Sequence, residues 1–156
     1  MTSAALIGLL VLAAALLSVC AVWCVVTAQR LDRLHIRVDR ARDALQAALD
    51  RRCAVLAVAY PQLAPAAHAA EAVQLRPDGF TDRLRAEDEL RALAAGLADS
   101  QRPEIADADT RVMLALRFYN DAVADTRALR LNPLVRGLRL GGTAALPSYC
   151  SLRDVS

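Results

Sequence analysis

The side chains able to do chemistry in this 156-residue chain are few, and their spacing argues against catalysis. Only two histidines occur, His35 and His68. A di-iron helical site needs two Glu-x-x-His motifs and two further carboxylates facing one core. Asp32-x-x-His35 has a similar spacing but adjoins a long apolar run with Arg33 beside it, and His68 has Pro65 at that offset. Both histidines read as partly exposed helix residues, and no metal or other cofactor is expected. Neither a Ser-His-Asp nor a Cys-His-Asn set can be assembled from them, and Gly141-Gly142 is too little for a phosphate loop. Carboxylates gather at Glu87-Asp88-Glu89 and at Glu104, Asp107 and Asp109. These would suit acid/base work or cation binding. Each group, however, has arginines at helix-neighbour spacing (Arg83, Arg85, Arg91, Arg102, Arg111), which predicts solvated ion-pair faces.

Four cysteines divide by location. Cys20 and Cys24 stand one turn apart on one face of the apolar run, where a dimer seam, an acylation site or a thiol pair is open to them, or no role beyond packing. Cys53 falls on the apolar side of its helix. Cys150 lies in the C-terminal tail.

The elements that position these residues follow from composition. Ala (33), Leu (26) and Arg (19) make up half the chain, Lys is absent, and β-branched and aromatic residues are scarce, a vocabulary that favours helix. A net charge of +2 gives no global field for nucleic acid. Residues 1–3 form a short N-terminus, and Ala4 to Ala28 contains no charge. As a helix that run is roughly 37 Å long, enough to cross a hydrocarbon core of about 30 Å with some tilt. The missing basic n-region and the length of the run disfavour a cleaved signal peptide. A lipoprotein anchored through Cys20 is the other exported form, with Val19 standing where a small residue is expected. Arg30, Arg33, Arg37, Arg40 and Arg42 form a basic collar after the run, with nothing basic before it. The positive-inside rule then places the N-terminus outside and the rest in the cytoplasm. Contact with anionic headgroups is one use of the collar, and helix-surface pairing with Asp32, Asp39 and Asp43 the commoner one.

Residues 29–132 show the periodicity of packed helices. Leu31, Leu34, Val38, Ala41, Leu45 and Ala48 recur at steps of three and four, continuing through Leu49, Cys53 and Leu56 to Pro61. Nothing separates the apolar run from this stripe, so one helix is expected to leave the membrane and continue. Pro65 to Leu75 predicts a short helix, and Arg76-Pro77-Asp78-Gly79 a turn. A third helix is expected from Thr81, as N-cap, to Asp99, with Leu84, Leu90, Leu93 and Leu97 inward. Ser100 to Pro103 interrupts the pattern, with Pro103 opening the next helix. Ile105, Ala108, Val112, Ala115, Tyr119, Ala122, Thr126 and Leu129 then mark a long helix closed by Asn132-Pro133. Tyr119 sits on its buried stripe, where the hydroxyl needs a partner: Asn120 or a carbonyl on a neighbouring helix. Asn120 and Asp121 project about 100° and 200° away from it. The motif is expected to fix packing register, with a recognition surface at Asn120 and Asp121 as the alternative. Residues 133–156 form a tail with apolar positions and Arg136 and Arg139, expected to fold back on the helices or the membrane surface.

Arg117-Phe118-Tyr119-Asn120-Asp121-Ala122-Val123, after an Ala-rich amphipathic helix and before Asn132-Pro133 and Pro147-Ser148-Tyr149, resembles the LemA family of bacterial membrane proteins. Ala47 to Arg52 (AALDRR) loosely resembles that family's Leu-(x)-Arg-Arg region. The resemblance implies a short outer N-terminus, one transmembrane helix and a helical cytoplasmic bundle. This chain departs from the family in a shorter, more Ala-rich segment from Tyr60 to Phe80 and in ending on Tyr149-Cys150. Its Arg-over-Lys, Ala-rich composition suggests a divergent, short, actinobacterial-type branch.

The reading is an all-α protein: a transmembrane helix followed by an antiparallel cytoplasmic bundle of three long helices and one short. It is expected to be a single-pass plasma-membrane protein, not an enzyme, that acts as a tethered scaffold or adaptor for other membrane proteins. Asn120, Asp121, Arg136 and Arg139 are the candidate contacts, and self-association stays open. A hydrolase-associated or metal-binding bundle is the alternative.

Overall fold

The computed structural model describes residues 2–76, 80–97, 102–138, 140 and 145–151. Among them every regular element is helical. The turn expected at residues 77–79 and the break at 100–101 lie outside the described residues, as does Arg139.

Helix α1 runs Thr2–Ala59 without interruption. Its 58 residues make a rod about 87 Å long at the ordinary rise per residue. The N-terminal part is the one segment among the described residues long and apolar enough to cross a membrane, with a mean hydropathy of 2.8 in its richest window. Leu6 through Val26 leave their large apolar side chains exposed all round. From Leu31 onward burial becomes one-sided: Leu31, Val38, Leu45, Leu49, Cys53 and Leu56 are covered while the arginines between them face outward, Arg52 excepted.

Proline places the later breaks and starts. Pro61 ends α1 and opens a single 3-10 turn, Pro61–Leu63, which leads directly into α2, Ala64–Glu71. Helix α3 is Phe80–Ala95 and α4 is Pro103–Arg130. Pro103 occupies the first turn of α4, where its missing N–H costs nothing. Asn132 then caps the five-residue α5, Pro133–Gly137, by accepting the Leu134 N–H at 3.0 Å. Thr81 lies inside α3 and does not cap it.

Helix α4 returns along α1 in the opposite direction, because Arg37 meets Asp125 at 2.7 Å while Arg52 approaches Asp109 at 3.7 Å. Their seam is one apolar cluster, in which Val38, Leu45 and Leu49 of α1 pack on Val112, Tyr119, Ala122 and Val123 of α4, with Leu75 and Cys150 filling in. A second cluster gathers Cys53, Leu56, Tyr60, Leu63, Ala67, Ala70, Leu90 and Ile105 at the far end.

The buried face of α3 differs from the expected leucine stripe. Arg83, Glu87 and Leu90 are buried, Leu84 and Leu97 are half-covered, and Leu93 is 54 % exposed. The face turned inward is rotated toward the two charged residues, whose partners lie on α1 and in the α2–α3 connection.

Candidate interaction site

Two constructions stand out once the helices are in place. The first is a buried charge network around Arg83. Its Nε and Nη2 donate to Glu87 Oε1 at 3.1 and 2.9 Å, and Nη1 pairs with Asp50 of α1 at 2.9 Å. The same Nη1 donates to the Val73 carbonyl at 2.9 Å and, more weakly, to that of Glu71 at 3.4 Å. Gln46 extends the network, donating to both Asp50 oxygens at 2.8 and 2.9 Å and accepting the Leu75 N–H at 2.6 Å. The α2–α3 connection is thus strapped to α1 through side chains.

Arg52 enters from the other side. Its Nη2 lies 3.1 Å from Glu87 Oε2, close enough to pair as ions but not aligned for a hydrogen bond, and its Nε finds no acceptor. Cys53 donates its thiol hydrogen to Glu87 Oε1 at 3.5 Å and receives Arg83 Nη2 at 3.8 Å. Burial, then the Glu87 charge, push the Cys53 thiol up to about 12, so it is an inert core group. The expectation of solvated ion pairs is therefore corrected for Arg83 and Glu87. Helix-neighbour spacing brings them together, but inside the protein, because Asp50, Arg52 and two backbone carbonyls complete their pairing. Asp107–Arg111 at 2.8 Å and Asp88–Arg91 at 3.4 Å do lie on exposed or half-exposed surfaces, and the Arg111 hydrogen bond holds the Asp107 carboxyl below its ordinary value.

The second construction is a clasp on the C-terminal tail. Tyr119 donates its hydroxyl to the Ser148 carbonyl at 3.0 Å. Asn120 donates to the Cys150 carbonyl at 2.8 Å and accepts the Cys150 N–H at 2.9 Å, so one amide side chain satisfies both backbone groups of one residue. Arg127 and Arg130 continue the contact, donating to the Pro147 and Ala145 carbonyls at 3.0 and 2.9 Å. Arg127 also lies over the Tyr149 ring, 5.4 Å from its centre. Residues 145–150 therefore run along α4 antiparallel to it. Phe80 of α3 meets the Tyr119 ring at 5.3 Å, and the tail roofs a cleft of about 330 Å³ that includes His35, Asp39 and Arg42. Burial pushes the Cys150 thiol up to about 11 and, together with Cys150, raises the Tyr119 phenol.

The clasp redraws the surface expected at Asn120 and Asp121. Asn120 is half-buried and committed to Cys150, because an extended backbone lies along α4 at that level and presents a donor and an acceptor. The partner of the Tyr119 hydroxyl is a tail carbonyl, not one on a neighbouring helix. Asp121 remains exposed, beside the exposed Leu114 and Phe118. In the collar Arg30, Arg33 and Arg40 face solvent, Arg37 crosses to Asp125, and Arg42 pairs with Asp39 at 3.1 Å and Asp43 at 3.7 Å. Arg136 is exposed on α5. His68 is exposed and lies 3.5 Å from Glu71. Among the described residues, no three His, Cys, Asp or Glu side chains gather as a metal site.

Sequence reasoning missed the buried ion network. Its one visible signal is that Arg83, Glu87 and Leu90 recur at steps of four and three and so share one helical stripe. No family model matches the chain, and no curated protein or solved structure matches it.

Proposed function

We propose that this chain is a non-enzymatic, single-pass membrane protein of LemA-like type, a tethered scaffold for other membrane proteins. Its N-terminus lies outside the plasma membrane and its antiparallel helical bundle in the cytoplasm. The observation that carries the reading is α1 itself. One unbroken helix passes from all-round apolar exposure, Leu6 to Val26, to one-sided burial from Leu31 onward. Apolar side chains exposed on every side suit lipid, and a helix that continues without a break holds the following body at a set distance from the bilayer. The collar of Arg30, Arg33 and Arg40 immediately after the run supports the orientation.

The contact surface of the scaffold is the outer face of α4, where Leu114 and Phe118 are exposed one turn apart and Asp121 follows. An exposed aromatic flanked by charge is a common anchor in protein recognition. The test is in-cell crosslinking and a tagged pull-down from membranes, comparing wild type with Phe118→Ala/Asp121→Ala. Loss of a defined partner in a variant that keeps its helical content is the expected result. Equal recovery of partners by both chains would remove α4 as the contact surface, and no specific partner in either would sink the scaffold reading. Labelling of a cysteine introduced at Ser3 by a membrane-impermeant reagent on intact cells checks the orientation, and failure to label would reverse it.

A further inference from the structure

Helix α5 leaves an apolar edge uncovered. Leu134 is 63 % and Leu138 48 % exposed, one turn apart on one side of the helix, while Val135 is buried. Leu131, just before the cap, is 49 % exposed. The α1–α4 register fixes the level of this edge. Because Arg37 meets Asp125 and Arg52 approaches Asp109, each step toward the C-terminus of α4 is a step toward the N-terminus of α1. Eight residues beyond Asp125 is Pro133, the start of α5, and eight before Arg37 is Gln29, next to the uncharged run. Burial on α1 marks the same boundary: Thr27 and Leu31 are covered at 7 % and 3 % exposure, whereas Val25 and Val26 are 56 % and 54 % exposed. Arg30, Arg33 and Arg136 are exposed at this end, with the acid Asp32 among them.

We propose that α5 is a foot on the membrane surface. Its leucine edge enters the headgroup region of the leaflet from which α1 emerges, and Arg30 and Arg33 face anionic lipid headgroups. This rests on the reading that α1 spans the bilayer. Two features select lipid over a protein as occupant. The edge begins level with the end of the all-round exposed part of α1, and the surrounding charge is mainly positive, as an anionic leaflet requires. A short helix with leucines on one edge and Arg136 on the opposite side cannot anchor a protein by itself. Beside a spanning helix it need only hold the body upright, since α1 already supplies the local concentration.

The test places a single tryptophan on the edge of the full-length chain, Leu134→Trp in a Trp23→Phe background, with Leu138→Trp as the second variant. The proteins are reconstituted into vesicles of phosphatidylcholine brominated near the headgroup, with about a third phosphatidylglycerol. Wild-type Trp23 is the reference for the anchor. The expected result is bromolipid quenching at 134 and 138 comparable with that of Trp23, falling roughly two-fold when Arg30→Glu/Arg33→Glu is added or the anionic lipid is omitted. Quenching of Trp23 with none at 134 and 138 would overturn the foot and leave the anchor standing. Failure to quench Trp23 as well would overturn both. Unquenched, blue-shifted emission at 134 that reddens as protein is diluted in lipid would assign the edge to a second copy and also overturn the proposal.

Discussion

Arg83 directs its donors to a carboxylate on its own helix, a carboxylate on α1, a thiol and two backbone carbonyls, and Arg83 and Glu87 are themselves closed off from solvent. Such a side chain is stable only while every partner stays in place, because an uncompensated charge in a low-dielectric interior is costly. Arg83→Met should therefore cost about 3–5 kcal/mol, leaving Asp50 without its cation and buried Glu87 with only the misaligned Arg52. Adding Glu87→Met should restore part of that loss, since the second substitution removes the stranded carboxylate. Urea unfolding of the detergent-solubilised protein, followed by circular dichroism, reads both values. The thiols make a second prediction. Cys53 and Cys150 ionise near 12 and 11 in the folded protein, against an ordinary 9.0. The folded state thus holds protons that the unfolded state releases as pH passes 9. Stability should be constant below about pH 8.5 and fall above pH 9, with a limiting slope of about 1.4 kcal/mol per pH unit for each thiol. Unfolding midpoints measured from pH 7 to 10.5 should show this fall, and Cys53→Ala/Cys150→Ala should flatten it.

The tail is held on α4 by polar contacts from Tyr119, Asn120, Arg127 and Arg130 to consecutive stretches of its backbone. Side-chain recognition of backbone needs no particular tail sequence, only an extended segment and well-placed donors and acceptors. Asn120 makes two of these bonds, and removing both should ease opening of the segment by ~1.4 kcal/mol, a factor of about ten. Asn120→Ala should then raise the rate at which a thiol reagent modifies Cys150 about ten-fold, read by mass spectrometry. Asp121→Ala, which takes no part in the clasp, should leave that rate unchanged. Helix α3 makes the complementary point. Beside Phe80 and Leu90 it buries Arg83 and Glu87, so polar geometry as well as apolar area sets its position.

Across the molecule, α1 joins two environments without a hinge, and the body is assembled on its second half. If the apolar run serves the membrane and not the core, a chain beginning at Val26 should keep its helical content and leave the membrane fraction. The full-length protein should resist extraction by alkaline carbonate. Circular dichroism and fractionation check the two statements, and a truncated chain that loses its helices would show that the run packs on the body.

The helices were legible in the sequence because their determinants are local. Proline spacing places the starts of α2 and α4, an uncharged run of fixed length marks one half of α1, and a 3-4 repeat identifies the buried stripes of α1 and α4, while the five residues of α5, read as part of the tail, are too few to show a period. The orientation of α3 was not legible, since Arg83 and Glu87 read as a solvent-facing pair until Asp50, Arg52 and the carbonyls of Glu71 and Val73 close around them. Asn120 likewise faces outward on a helical wheel, and only the tail brought back 30 residues later turns that position into an inner one. Periodicity reports which side of a helix is apolar. Whether a polar side chain is buried depends on partners distant in the chain, and those only the tertiary structure supplies.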